Sequence, residues 1–436
     1  MTTMLWMLTS RKDTKTAYRR QFLGVILGIC LITASSCSVQ EEPEPIPEST
    51  PEVTETIPAE DYRIFAGKKV HLGMGTVLWA ADAGGNMLQA GTLTQDYEAD
   101  IRQDASGKYL ALADCRFFAD GAEMTDSLRW MQHRCELTPN GHTVTTDGTY
   151  HLQERDGREI ALITHTDTYD VYAEPCADDP RYGIRFNGQL AYIPEAEIAS
   201  VSGEIRKQGA EKLPVLMYHF FYSEADGGTR KDTNHVEAGE LDEQLDWLEQ
   251  NGYTTLSMEE VLCFMQGRSN IPEKSVVITI DDGDPTVHQY AYPVIREHNM
   301  HAVLFLITGW AGQSPQNYDF WEMREDGLEL QSHGFLTHQG GCPGMGHGGR
   351  LLCMDHDEGV ADTRMSFDTA DGGFVYCYPF GDYNENARGI LRDAGTEMAF
   401  TTDSGMIRPG MDLLALPRIR VTGGAGLQRF IQSIGQ

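Results

Sequence analysis

From Leu213 onward, short continuously apolar runs alternate with helix patterns, and this alternation restricts the fold more than any other feature of the chain. The runs lie at 214–218, 275–280, 302–307, 328–331, 374–378 and 398–401, with helical periodicity at 240–251 and 286–298. A strand that is apolar on both faces belongs in a parallel sheet covered by helices. Strand alternating with helix is the signature of parallel β/α architecture. Roughly seven such units predict a barrel, whose chemistry sits at the carboxyl ends of its strands.

That rule directs attention to the polar residues that directly follow the runs. Ile280 is followed by Asp281-Asp282-Gly283, and Gln331 by Ser332-His333 with His338 five further on. Cys377 is followed by Tyr378-Pro379-Phe380-Gly381, and Tyr218 by His219. Any one of these motifs reads equally well as a turn or as surface polarity. Four of them at strand ends do not. Neighbouring carboxylates on a strand point in different directions, so one can hold a metal while the other faces substrate. Two imidazoles and a carboxylate suit Zn2+, with Co2+, Ni2+ or Mn2+ as alternatives, and leave positions for water and substrate. Residues five apart do not share a face of an α-helix. The His333–His338 segment is therefore expected to be a loop, or a helix widened by one residue, and Gly334 eases either path.

At this point the sequence resembles the polysaccharide deacetylases with a NodB-homology domain, carbohydrate esterase family 4, over about residues 212–436. Thr279-Ile280-Asp281-Asp282-Gly283 is similar to their first motif. The likeness extends to Pro214 to His219, Asn251-Gly252-Tyr253, Ser332-His333 to His338, Tyr378 to Asn384 and Leu416-Pro417-Arg418-Ile419. The histidine spacing, the Met-Tyr-His opening and the Leu-Pro-Arg-Ile ending most resemble the branch acting on poly-β-1,6-N-acetylglucosamine. The resemblance implies a deformed (β/α)7 barrel, Asp281 as general base, and Asp282, His333 and His338 as metal ligands. It also implies an oxyanion contact from the backbone N–H of Phe380, and an N-acetylated polysaccharide, poly-N-acetylglucosamine or peptidoglycan, as substrate. Tyr378, Pro379 and Trp310 are expected on the substrate side.

Two departures stand out. Relatives often open the third motif with an arginine that pairs with the catalytic carboxylate, where this chain has Cys377; Arg418 is expected to supply that charge from another strand. Relatives often carry a late histidine as general acid, yet no histidine follows His356. His219, at the end of the first strand, is the expected substitute. The glycine-rich stretch 340–349 is expected as a mobile lid or a surface loop, and Cys342 and Cys353 could close it.

Upstream, Arg11 to Arg20 precede an apolar stretch at 22–32 and then Ala34-Ser35-Ser36-Cys37, the layout of a signal peptide whose end resembles a bacterial lipobox. Residues 1–37 are thus expected to be a leader with Cys37 as the lipidation site, giving a lipid-anchored or secreted extracellular protein. Residues 38–60 hold five prolines, seven glutamates and no Lys or Arg, a stiff tether too poor in apolar surface to fold. Residues 61–145 and 146–205 read as two SH3-like β units, because 109–124 echoes 182–198. They fit glycan or peptide binding, or a plain spacer. A formal charge of −31 excludes a nucleic-acid partner. The chain is expected to be monomeric. The competing readings are an O-acetyl esterase on an acetylated glycan, or a glycan-binding wall protein with weakened turnover.

Overall fold

The computed structural model describes residues 63–103, 109–113, 116–126, 133–310, 320–325, 327–370 and 372–435. The leader, Cys37 and the tether lie outside the described residues. Among the described residues, no helix is long and apolar enough to cross a membrane.

Seven parallel strands form the expected barrel: β1 (Val215–Tyr218), β2 (Ser275–Asp282), β3 (Val303–Leu306), β4 (Glu329–Ser332), β5 (Val375–Cys377), β6 (Met398–Ser404) and β7 (Leu416–Arg420). Each pairs with the next in sequence, and β7 closes on β1 with Leu216 opposite Ile419. The helices α1 (Ala238–Gln250), α2 (Met258–Met265), α3 (Tyr292–Glu297), α4 (Phe320–Glu325), α5 (His356–Thr369), α6 (Glu385–Ala394) and α7 (Leu427–Ser433) accompany them. Alternation along β2 divides its side chains: Ile278 and Ile280 pack with Leu241, Leu245 and Leu248 of α1, whereas Val277 joins the inner cluster with Val215, Phe305, Phe400 and Leu416. Each such side chain removed from water contributes on the order of 1.5–3 kcal/mol. The alternation places Thr279 and Asp281 inside the barrel, in file with Val277.

One seam of the barrel is barely zipped. β4 and β5 share a single residue pair, Ser332 opposite Tyr376. Below it, the side-chain oxygen of Gln331 accepts from the backbone N–H groups of Phe374 (3.1 Å) and Val375 (3.0 Å), replacing the missing ladder. This open seam is the deformation expected of the barrel, and the two histidines follow β4 directly.

The upstream region is all β, and one order of strands occurs in it twice. Met87–Leu93, Val77–Ala81, Phe118–Asp120 and Tyr109–Leu112 lie side by side, as do Glu159–Ile163, Tyr150–Gln153, Gln189–Pro194 and Arg181–Phe186. A 3-10 turn precedes the last strand of each half, Gly121–Glu123 and Glu195–Glu197, and Met87–Leu93 pairs with Glu159–Ile163 to join the halves. The sequence echo between 109–124 and 182–198 marks these equivalent hairpins. The strand His142–Thr146 pairs with Thr168–Asp170 and Ile198–Gly203, so the expected break at 145/146 falls inside a strand of the second half.

This β region packs on the amino-terminal face of the barrel. Leu137, Tyr172 and Ala173 share a core with Val261, Leu262 and Met265 of α2. Arg155 reaches Glu397 at 2.6 Å and lies 3.5 Å above the Phe374 ring. Glu260, 1% exposed, accepts from the Glu136 N–H (2.5 Å) and the Ser257 N–H (2.9 Å) and bonds the His133 ring (2.6 Å). Removing that carboxylate leaves buried donors without partners. Glu260→Ala is therefore expected to lower unfolding free energy by roughly 3 kcal/mol, measured by denaturant titration.

Candidate active site

Asp281 ends the inward file of β2 and meets Arg418, which comes from β7. Both are buried, at 2% and 0% exposure. The guanidinium grips the carboxylate with two bonds of 2.7 Å. Its remaining N–H groups go to the Thr279 hydroxyl (3.1 Å), the Cys377 sulfur (3.0 Å) and the Thr401 carbonyl (3.1 Å). All five donors of this buried cation are therefore satisfied, which is what makes its burial tolerable. The Cys377 thiol, 3.6 Å from Asp281, donates toward the same carboxylate. Burial opposes ionisation of Asp281, but Arg418 outweighs it and holds the carboxyl well below the usual carboxylate range. His219 Nε2 lies 3.8 Å from Asp281, and burial pushes its pKa below the ordinary 6.5.

Strand alternation alone would turn Asp282 away from its neighbour's file. Its φ of 73°, followed by Gly283 at 82°, turns the chain out of the strand there. A Cβ on Gly283 would meet Leu306 at 2.3 Å, so glycine is required at that turn. Asp282 Oδ1 then lies 3.3 Å from Nε2 of both His333 and His338, and the three ligand atoms lie within 4.8 Å of one another. Between the histidines the chain is a loop, not a helix. Gly334 has φ 85°, and the buried Asp362 of α5 accepts from the N–H groups of Phe335 (3.1 Å) and Leu336 (2.8 Å). His333 Nδ1 donates to the Cys377 carbonyl at 2.8 Å, so its Nε2 lone pair points at the cluster. The donor set fits a divalent cation: two imidazoles, and a carboxylate that, unlike Asp281, is not claimed by an arginine.

A model of the family described as Polysaccharide deacetylase matches residues 268–399. YxkH of Bacillus subtilis (strain 168), which bears that family's name, is 30% identical over 229 residues, 51% of this chain and 76% of YxkH. The chain belongs to the polysaccharide deacetylase family. The poly-β-1,6-N-acetyl-D-glucosamine N-deacetylase of Staphylococcus aureus (strain MSSA476) is 24% identical over 281 residues, 61% of this chain and 91% of its own length. Among solved structures, the Streptococcus pyogenes deacetylase PplD in complex with acetate superposes with a TM-score of 0.45 at 23% identity, covering 52% of this chain and 99% of PplD. IcaB from Ammonifex degensii gives 0.45 at 22%, covering 53% and 100%.

Around the deacetylase's metal-type cluster, two aromatic rings flank His338: Phe380, 4.5 Å away by ring centroids, and Trp310, 5.7 Å away. They are 38% and 54% exposed, which leaves both at the mouth. Phe380 holds a left-handed φ of 62°. Tyr378 and Pro379 are not substrate contacts through their side chains. Tyr378 is 0% exposed, packs with Tyr376 and Leu391, and donates its hydroxyl to the Leu414 carbonyl at 3.0 Å; Pro379 is also buried. Their motif shapes the turn, and only Phe380 reaches the opening. The glycine-rich loop is pinned rather than free. Cys342 and Cys353 are disulfide-bonded, and Asp382 accepts from the N–H groups of His347 (2.9 Å) and Gly349 (3.0 Å).

Sequence reasoning missed Asp362, Gln331 and the thiol of Cys377 as supports of the site. Asp362 and Gln331 stand in no recognisable motif, and the place of Cys377 at the start of the third motif does not reveal what its thiol touches, so only the packed structure brings them into play. Burial and the neighbouring His333 push the His338 pKa down to about 4. A group so depressed favours the folded state above its unfolded value of about 6.5, and that advantage fades as pH falls toward the folded value. In metal-free protein, the stability difference between wild type and His338→Gln is therefore expected to shift against wild type from pH 6.5 to 4, measured by denaturant midpoints at each pH.

Proposed function

We propose that this deacetylase hydrolyses N-acetyl groups of an N-acetylglucosamine polysaccharide of the cell surface or wall in a metal-dependent reaction, releasing acetate. The observation that carries the reading is the pairing at one barrel mouth of an Asp282–His333–His338 ligand set with a second carboxylate, Asp281, that Arg418 keeps ionised. The S. aureus relative, by its name, supports the choice of sugar.

Asp282, His333 and His338 would hold the ion. A divalent cation supplies a Lewis acid that polarises the acetyl carbonyl and acidifies water, which a base as weak as the arginine-held Asp281 requires. Asp281 accepts the proton of the attacking water as the new C–O bond forms at the acetyl carbon. The Phe380 N–H donates to the developing oxyanion, an interaction of about 3 kcal/mol in comparable sites. His219, neutral near pH 7 and 3.8 Å from Asp281, takes up that proton and passes it to the departing nitrogen. The C–N bond breaks, giving acetate and a free amine. Trp310 and Phe380 offer apolar faces to the pyranose ring.

The leader-like segment 1–37, with Cys37 after small residues, supports lipid anchoring outside the cell, and the tether 38–60 supports a catalytic unit held away from the membrane. Acetate release from N-acetylglucosamine oligomers tests the reading. Asp281→Asn is expected to reduce the rate by at least about 100-fold with the bound metal unchanged, and chelation to abolish it until a divalent ion is restored. A metal-loaded protein that releases no acetate from any acetylated glycan would defeat the proposal.

A further inference from the structure

Many arginines of this acidic chain are neutralised by carboxylates: Arg181 and Arg268 by Asp179, Arg388 by Asp412, Arg418 by Asp281. Three near the end of β7 are not. Arg420 donates to the side-chain oxygen of Asn234 at 2.6 Å, and Arg230 to the Gly423 carbonyl at 2.8 Å. The guanidinium of Arg429, exposed on α7, makes no hydrogen bond or ion pair among the described residues.

Arg420 and Arg429 line a cavity of about 460 Å3 formed by β7, α1 and α7. Gln244 of α1 lines it too and is 1% exposed. Its oxygen is taken by the Tyr218 hydroxyl at 2.7 Å, which leaves its NH2 group as a donor for an occupant. Ser404 and Thr422 add hydroxyls, and no Asp or Glu lines the cavity. Glu240, which meets the rim, is engaged by the N–H groups of Gly424 (2.7 Å) and Gly426 (3.4 Å). In a chain of net charge −31, a recess with guanidinium and amide donors and no acid suits an anionic group. Its volume lies in the range of small-ligand sites. β7 also links the cavity to the catalytic mouth: Arg418 reaches Asp281, and Arg420, two residues further along the strand, reaches the cavity.

We propose that this cavity is a subsite for an acidic group, carboxylate or phosphate, carried on the glycan chain whose N-acetyl group enters the mouth. The proposal rests on the deacetylase reading for the identity of the chain, so binding and turnover are measured separately. Calorimetry on the full metal-loaded protein would compare two N-acetylglucosamine oligomers of equal length, one neutral and one bearing a lactyl carboxylate on a single unit, with inorganic phosphate as the free-anion probe. The acid-bearing oligomer is expected to bind at least about tenfold more tightly than the neutral one, as one charge-assisted contact allows. Arg420→Ala with Arg429→Ala removes that preference, and Arg429→Lys alone retains part of it. Both arginines are exposed, so the variants are expected to fold, which circular dichroism verifies. Equal affinity of wild type for the two oligomers would overturn the subsite. Phosphate binding that depends on Arg429, with no preference between oligomers, would overturn the glycan as the carrier of the acid. Selective binding of the acidic oligomer without acetate release from either would uphold the cavity and sink the deacetylase reading instead.

Discussion

The rest of the site depends on one buried ion pair. Arg418 and Asp281 lie at the inner wall of the barrel, where an uncompensated charge would cost several kcal/mol. They persist there because every guanidinium proton of Arg418, on β7, has an acceptor drawn from β2, β5 or β6. Four strands must therefore be in register before the pair is satisfied, and a carboxylate held ionised beside a metal-type cluster becomes available only when the barrel closes. Breaking the pair from one side would leave a bare charge indoors, so its geometry is coupled to folding as tightly as any apolar contact.

The same pair explains how the chain does without an arginine at the start of its third motif. Cys377 occupies that place, and its small, buried thiol leaves room for Arg418 to cross from β7. Its carbonyl meanwhile orients His333. One residue thus serves both halves of the site, the proton-accepting carboxylate through sulfur and the ligand histidine through the backbone. The barely zipped seam between β4 and β5 lies beside it, where a full ladder would hold the histidine loop closer to strand geometry.

Stability and chemistry are placed at opposite ends of the barrel. The doubled β region covers the amino-terminal face through Glu260, Arg155 and an apolar contact with α2. The carboxyl-terminal ends of the strands carry the acids, the histidines and the exposed aromatic rings. Changes on the lower face are therefore felt as stability, whereas those on the upper face alter reactivity.

Much of this was legible in the residues. Apolar runs alternating with helix periodicity specify parallel strands, because only a doubly covered sheet buries both faces of each strand, and the polar residues ending those runs are placed at one mouth by topology alone. The five-residue histidine spacing excluded a regular helix on geometric grounds. The repeated hairpins left a faint echo because equivalent turns need similar residues. What the sequence could not contain is which distant groups meet. Side-chain alternation suggests that Asp281 and Asp282 diverge, but the left-handed turn at Asp282, the reach of Arg418 across the floor and the two N–H groups held by Asp362 depend on contacts 26 to 137 residues apart. Tyr378 shows the same limit: its motif marks a functional loop, and only packing decides that its ring belongs to the core. Local pattern determined the elements and the end of the barrel where chemistry occurs; closure of the barrel decided which charges face each other there, because burial and pairing are properties of the assembled interior rather than of any segment.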